Sequence, residues 1–167
     1  SGRIGETADF TADLTVARPQ LWDIAQGRLY RAVARVVADG KILDDDTASF
    51  GLREAHFDAA TGFWINGRNV KLKGVALHQD GGAVGVAVPL AVWAQRLDRL
   101  RTLGVNAIRT AHNPPDPAFL DFCDRMGFLV MDELFDAWTV GKPSAEKGEN
   151  LHFTEWGRAS ARDTIRR

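Results

Sequence analysis

The stretch NAIRTAHNPP, residues 106–115, joins an apolar, strand-like run to a polar turn. Ala107 and Ile108 suit a buried strand, but Arg109 and His112 follow almost at once, and two prolines then prevent the strand from continuing. Two interpretations are open at this point. The segment is either a loop that is merely polar, or a strand whose end delivers charged side chains to a site.

The sequence around this stretch alternates between strand and helix patterns. Apolar runs predict strands at VKLKGVAL (70–77), VNAIRT (105–110) and FLVMDE (128–133). Apolar residues at helical spacing, with proline near the start and glycine past the end, predict helices at 89–104 and 115–127, and TEWGRASARDTIRR (154–167) begins a third. Asp116 is a candidate N-cap for the second helix. Strands that alternate with helices in this way are typical of parallel β/α units with right-handed crossovers.

The first part of the chain has a different pattern, which predicts β structure. ADFTADLTVA (8–17) alternates apolar and polar residues. LYRAVARVVA (29–38) is followed by Asp39-Gly40, which predicts a hairpin with a two-residue turn, although the Ala and Arg content of that arm also suits a helix. Asn66-Gly67 predicts a second hairpin.

Polar side chains follow each of the three predicted parallel strands. They are His78, Gln79 and Asp80 after the first strand, Arg109, His112 and Asn113 after the second, and Asp132, Glu133 and Asp136 after the third. In α/β architectures, ligands bind beyond the carboxyl ends of the strands, so these groups are expected to lie at one edge of the sheet.

Each of these residues also has a structural explanation. Arg109 has possible ion-pair partners in Asp132 and Glu133, a lone histidine is often a loop residue, and Asn113 precedes a proline that favours a turn. Together they favour a site, because a structural arginine would not also need His112, Asn113 and an acidic pair beside it. Their directed donors and acceptors suit a ligand rich in hydroxyl groups. Trp138 and Trp156 either offer flat apolar faces to such a ligand or serve packing.

Composition excludes several other classes of protein. Hydrophobic residues make up 45% and charged residues 26% of the 167, and the net charge is −1 with no basic run, so no nucleic-acid partner is expected. No apolar stretch is long enough for a membrane span. One cysteine, four scattered histidines and the absence of a phosphate-binding glycine motif predict neither a metal nor a cofactor.

Four segments closely resemble glycoside hydrolase family 2, in particular its bacterial β-galactosidase-like members. They are GFWINGRNVKLKGVALHQD (62–80), RLRTLGVNAIRTAHNPP (99–115), FLDFCDRMGFLVMDELFDAW (119–138) and the late EWGRASARDTIRR (155–167). The resemblance implies a multidomain β plus α/β protein. Residues 1–57 would be the end of an immunoglobulin-like β-sandwich, and residues 58–167 the first three β/α units of a (β/α)₈ TIM barrel. Residues 66–167 are too few for a complete barrel, which needs roughly 250 residues.

The activity that the resemblance implies is that of a retaining exo-β-glycosidase, most simply a β-galactosidase. β-Glucuronidase, β-mannosidase and a non-catalytic carbohydrate-binding or structural module remain alternatives. In the family, two glutamates on later strands are the acid/base and the nucleophile. Both are expected beyond Arg167, so no catalytic residue is assigned within the chain. The expected partner is a β-linked sugar, with a homo-oligomer left open and no compartment indicated.

The supporting residues are also taken from the resemblance. Arg109 matches the arginine that hydrogen-bonds the nucleophile carboxylate, and His78 and His112 match histidines that line the sugar subsite. Asn113 belongs to the same motif, while Glu133 and Asp136 are candidate hydroxyl acceptors or partners of those residues. Some members hold magnesium with a Glu-x-His after the third strand. DELFDAW (132–138) lacks that pair, so no metal is predicted.

Overall fold

The computed structural model of the protein describes residues 9–143 and 148–165. Its first element is an antiparallel hairpin of β1 (Tyr30–Ala38) and β2 (Lys41–Phe50). Asp39 and Gly40, between the strands, have φ of +50° and +72°, the left-handed pair that a type I′ turn requires. The predicted hairpin is confirmed, and the helical alternative for its first arm is wrong.

The β structure predicted for the alternating segment at residues 8–17 is wrong. Residues 9–16 contain no strand, and Phe10 and Leu14 are 93% and 79% exposed. Alternation stabilises a strand when a neighbouring strand pairs with its backbone and a core covers its apolar face. Neither is present for this segment among the residues that the structure describes, so its pattern alone does not make it a strand.

A second antiparallel sheet follows, formed by β3 (Ala55–Asp58), β4 (Gly62–Ile65) and β5 (Arg68–Asn69). Asn66 and Gly67 have φ of +50° and +74°, which confirms the second hairpin. The predicted domain boundary between residues 57 and 58 falls inside β3 and remains a prediction.

The rest of the chain alternates strands and helices: β6 (Gly74–His78), α1 (Leu90–Thr102), β7 (Ala107–Ala111), α2 (Pro117–Met126), β8 (Leu129–Asp132) and α3 (Phe153–Ile165). The three strands lie side by side in chain order and run parallel. The register places Ala76 beside Arg109 and Arg109 beside Met131. The predicted parallel β/α arrangement is therefore confirmed, whereas the bounds of the barrel segment remain a prediction.

Local signals set the helix ends. The side chain of Asp116 accepts a hydrogen bond from the Ala118 amide at 2.9 Å, Pro117 is the first residue of α2, and Gly127 ends the helix with φ of +76°. Pro89 lies just before α1 instead of in its first turn. The caps predicted for α2 are thus confirmed.

The strand β6 begins at Gly74, four residues later than the apolar pattern predicts. The Asn106 side chain explains the difference. Its Oδ1 accepts a hydrogen bond from the Lys73 amide at 2.8 Å, and its Nδ2 donates to the Lys71 carbonyl at 3.1 Å. A side chain satisfies these backbone groups, so regular strand pairing starts only beyond them.

Two apolar clusters form the core. One lies between the parallel sheet and its helices and consists of Trp93, Leu97, Ile108, Phe119, Cys123 and Phe128. The other joins the N-terminal part to the β/α part through Trp22, Phe63 and Ile65. The Trp22 indole also donates to the Asp124 carbonyl at 2.8 Å. Gly27 lies so close to the end of α2 that a Cβ atom there would meet the Asp124 carbonyl oxygen at 2.1 Å, so only glycine allows this docking.

Candidate functional site at the carboxyl ends of the parallel strands

The candidate site lies at the carboxyl ends of β6, β7 and β8, on the face of the sheet opposite α1 and α2. Successive side chains of β7 alternate between the two faces. Ile108 is buried in the core beneath the helices, whereas Arg109 faces the other way with its side chain 44% exposed. Since parallel strands end at the same edge, Arg109 comes next to the residues that follow β8.

Arg109, Glu133 and His112 form a hydrogen-bonded cluster at this edge. Arg109 Nε donates to Glu133 Oε1 at 2.5 Å, and the other carboxylate oxygen lies 3.1 Å from His112 Nδ1. Arg109 Nη2 lies 3.5 Å from the same Nδ1. One carboxylate therefore holds both the guanidinium and the imidazole in place.

The pKa of Glu133 is held below its usual value. The main cause is the hydrogen bond from Arg109, and the hydrogen bond with His112 acts in the same direction. Partial burial works against them, since the Glu133 side chain is 22% exposed, but the hydrogen bonds prevail. Glu133 is therefore a carboxylate at neutral pH and not a proton donor.

His78 reaches the same cluster from the end of β6. Its ring lies 5.2 Å from the ring of His112, centroid to centroid, and nearly perpendicular to it at 75°. The peptide bond between Ala111 and His112 is cis. The structure thus brings His78, Arg109, His112 and Glu133 together, as the sequence predicts for neighbouring strand ends.

Asp136 extends the cluster and reveals a residue that sequence reasoning missed. Its Oδ1 lies 3.9 Å from His112 Nδ1 and 2.5 Å from the Lys142 ammonium. The hydrogen bond from Lys142 is the main reason why the pKa of Asp136 is lowered. Lys142 lies in a loop between β8 and α3 whose sequence has no strand or helix pattern, so no periodic signal marked it.

Asn113 lies beside this cluster and lines a neighbouring cavity of about 340 Å³, together with His78 and Gln79. The Gln79 side chain donates to the Pro114 carbonyl at 3.1 Å and so ties the loop after β6 to the loop after β7. Asn113 therefore shares the lining of this cavity with His78.

Asp132 does not belong to the cluster. The Thr110 hydroxyl donates to Asp132 Oδ1 at 3.1 Å and accepts from the Glu133 amide at 3.2 Å. Thr110 is buried and, by alternation along β7, lies on the helix side of the sheet with Asp132. Of the two ion-pair partners that the sequence offers Arg109, Glu133 is the one that lies against it.

The tryptophans are partly exposed. Trp138 is 60% exposed and contacts the rings of Phe135 and Phe153, at centroid distances of 6.1 and 5.3 Å. Trp156 is 55% exposed and stacks on His152 at 4.5 Å. Neither is a core residue, and a sugar-facing role for them remains a prediction.

Metal-binding groups and the cysteine thiol bear on other kinds of chemistry. Within residues 9–143 and 148–165, no group of three or more His, Cys, Asp and Glu side chains is arranged to hold a metal ion. Cys123 is buried in the core, and desolvation raises its pKa to about 12, so it is not a reactive thiolate. None of the helices that the structure describes is long and apolar enough to cross a membrane.

Parallel strand–helix units with arginine, histidine and carboxylate groups at the carboxyl edge define the class of β/α proteins that bind ligands at their strand ends. Comparison of the sequence with known protein families identifies one family within that class. The description "Glycosyl hydrolases family 2, TIM barrel domain" fits residues 59–157, and "Glycosyl hydrolases family 2" fits residues 2–53. The chain belongs to glycosyl hydrolase family 2, and its architecture is multidomain β plus α/β.

Individual relatives agree with this assignment. The chain is 42% identical over 163 residues to the β-galactosidase BoGH2A of Bacteroides ovatus, a match that covers 98% of the chain and 19% of that protein. It is 40% identical to a putative β-glucuronidase of Formosa agariphila, over 96% of the chain and 15% of that protein. A crystal structure of a β-glycosidase from Bacteroides vulgatus superimposes with a TM-score of 0.85 at 39% identity, covering 91% of the chain and 20% of that structure. The chain thus spans a fifth or less of the length of these relatives.

Proposed function

We propose that the chain is part of a longer retaining exo-β-glycosidase, and that its favoured substrates are β-galactosides. In this proposal the β1–β2 hairpin belongs to an immunoglobulin-like sandwich, and β6 to α3 are the first three units of a (β/α)₈ barrel. The observation that carries the proposal is the Arg109–Glu133–His112 cluster at the carboxyl ends of neighbouring parallel strands. Family membership supplies the reaction class.

In such an enzyme, one carboxylate attacks the sugar and a second acts as acid and then as base. Both belong, in this proposal, to the part of the protein that follows Arg167. Arg109 supports them. A guanidinium has five N–H donors in a planar fork, and its Nε–H already donates to Glu133. The remaining N–H donors of Arg109 would hold the nucleophile carboxylate ionised and oriented, while Glu133 fixes the position of the arginine side chain.

His112 and His78 would form the wall of the sugar subsite. The contact of 3.1 Å with Glu133 assigns the Nδ1 hydrogen of His112 to that carboxylate, which leaves Nε2 as an acceptor for a sugar hydroxyl. Asn113 would add amide donors and acceptors in the cavity that it lines with His78. Asp136 would act as a hydroxyl acceptor or as a partner of His112.

The charge of this edge supports a neutral sugar. Lys142 is paired with Asp136, and Arg109 is paired with Glu133 while its remaining donors are assigned to the nucleophile, so in this proposal both cations already have carboxylate partners within the protein. The relative BoGH2A, 42% identical, is itself named a β-galactosidase. β-Glucuronides are the second candidate, because relatives at 40% and 33% identity are named as β-glucuronidases. β-Mannosides are third.

The test uses the full-length protein that contains this chain. Nitrophenyl β-galactoside, β-glucuronide and β-mannoside are compared by kcat/KM, and the galactoside is expected to be hydrolysed best. Arg109→Ala should then lower kcat/KM by roughly a hundredfold or more, the scale found when a charge-stabilising donor is removed. Arg101→Ala is the control, since Arg101 forms an ion pair with Asp98 on the surface of α1.

Absence of hydrolysis of all three substrates would overturn the glycosidase proposal. A different preferred sugar would overturn the galactoside assignment alone. If Arg109→Ala keeps full activity per folded molecule, Arg109 has only a structural role.

A further inference from the structure

Two carboxylates lie near one ring nitrogen of His112. Glu133 Oε2 lies 3.1 Å from His112 Nδ1 and Asp136 Oδ1 lies 3.9 Å from it. An imidazole nitrogen carries at most one hydrogen, so only one of the two can be its main acceptor. The nearer one is Glu133, which Arg109 holds through its other oxygen.

Asp136 is also bound by a residue outside the strand ends. The ammonium of Lys142 lies 2.5 Å from Asp136 Oδ1, the same oxygen that faces His112. We propose that Lys142 is a positioning residue for the sugar subsite, which holds Asp136 away from His112 so that the imidazole stays bonded to Glu133. This inference rests on the proposed function, because it concerns the orientation in which His112 meets a sugar hydroxyl.

Two ion pairs lie at this edge. Arg109 is paired with Glu133 and Lys142 with Asp136, while the rings of His112 and His78 lie between and beside them. Loss of the Lys142 cation would remove the ammonium that holds the Asp136 oxygen facing His112. The ring would then divide its hydrogen between two acceptors, and its Nε2 would lose the fixed direction that ligand binding needs.

The test is made in the full-length protein with the chromogenic β-galactoside. Lys142→Met should raise KM about three- to tenfold, the scale of one hydrogen bond to a ligand. The value of kcat should stay within about twofold, because the change affects sugar binding and not the reacting carboxylates. Lys142→Arg keeps the cation and should restore KM. Arg101→Met is the matched control, because Arg101 and Lys142 are 47% and 50% exposed and each pairs with an aspartate.

A double-mutant cycle tests whether Lys142 acts on His112 through Asp136. In an Asp136→Asn background, the neutral amide competes weakly for the hydrogen, so Lys142→Met should have no further effect on KM. Additive effects, an unchanged KM in Lys142→Met, or a fall in kcat that Lys142→Arg does not restore would each overturn the inference. These outcomes are read in an enzyme whose wild-type hydrolysis has been measured, so they are distinct from failure of the proposed function.

Discussion

At the scale of single residues, Thr110 explains why two adjacent carboxylates have different surroundings. Its buried hydroxyl donates to Asp132 and accepts from the backbone amide of Glu133. Asp132 is thereby held on the helix side of the sheet, and Glu133 is turned toward Arg109. One side chain thus separates a structural carboxylate from one that belongs to the candidate site.

The lowered pKa of Glu133 predicts a dependence of stability on pH. Because Arg109 lowers it below the usual 4.5, the ion pair stabilises the folded state above that pH. The stabilisation is lost as the pH falls through the lowered pKa of the folded state. The difference in thermal unfolding midpoint between wild type and Glu133→Gln should therefore be present at pH 7 and should shrink in acid. Glu155→Gln, which removes an exposed carboxylate, is the control. A difference that persists unchanged at low pH would contradict this explanation.

At the scale of elements, the end of α2 joins the two parts of the molecule. Comparing alanine substitutions at two glycines measures how much this contact contributes to stability. Gly127 and Gly104 have φ of +76° and +80°, so alanine costs about 1 kcal/mol of backbone strain at either position. A Cβ at Gly127 would also meet the Ala25 amide nitrogen at 2.5 Å, whereas Gly104 has open space around it. Gly127→Ala should lower the thermal midpoint clearly more than Gly104→Ala. Equal effects would show that the segment around Ala25 does not dock firmly on α2.

The elements that the sequence predicts well are those specified by neighbouring residues. Asp39-Gly40 and Asn66-Gly67 adopt the positive φ angles that their turns require, and the capping residues of α2 are adjacent to that helix in the sequence. The segment at residues 9–16 fails because a strand depends on a partner that its sequence does not contain. The start of β6 depends on a side chain about 30 residues away, Asn106.

The candidate site shows the same division. Arg109, His112 and Glu133 were predictable because parallel strand ends meet at one edge, whatever their side chains. The pairing of Lys142 with Asp136 was not, since it depends on the path of an irregular loop. The choice of Glu133 over Asp132 required the position of Thr110, which the sequence pattern leaves open.

At the scale of the whole molecule, the inner face of the parallel sheet is open. It borders a largely apolar cavity of about 530 Å³ that Gly74, Ala76 and Ala107 help to line, and Met131 is 64% exposed there. In a complete (β/α)₈ barrel, side chains from all the strands fill this space. β6 and β8 are also the two edge strands of the three-stranded sheet, and such edges invite pairing with further strands.

This open face predicts the behaviour of the 167-residue chain on its own. Arg109 can hold a nucleophile only if another strand brings one to it, and in the proposed enzyme both reacting carboxylates lie beyond Arg167. The purified chain should therefore not hydrolyse a chromogenic β-galactoside under conditions in which the full-length protein does. Hydrolysis is followed by release of nitrophenol, and the control is the full-length Arg109→Ala protein, which has the whole barrel but a weakened site. Turnover by the purified chain that Arg109→Ala abolishes would show that the reacting groups are within residues 1–167, and would contradict the assignment of both glutamates to later strands.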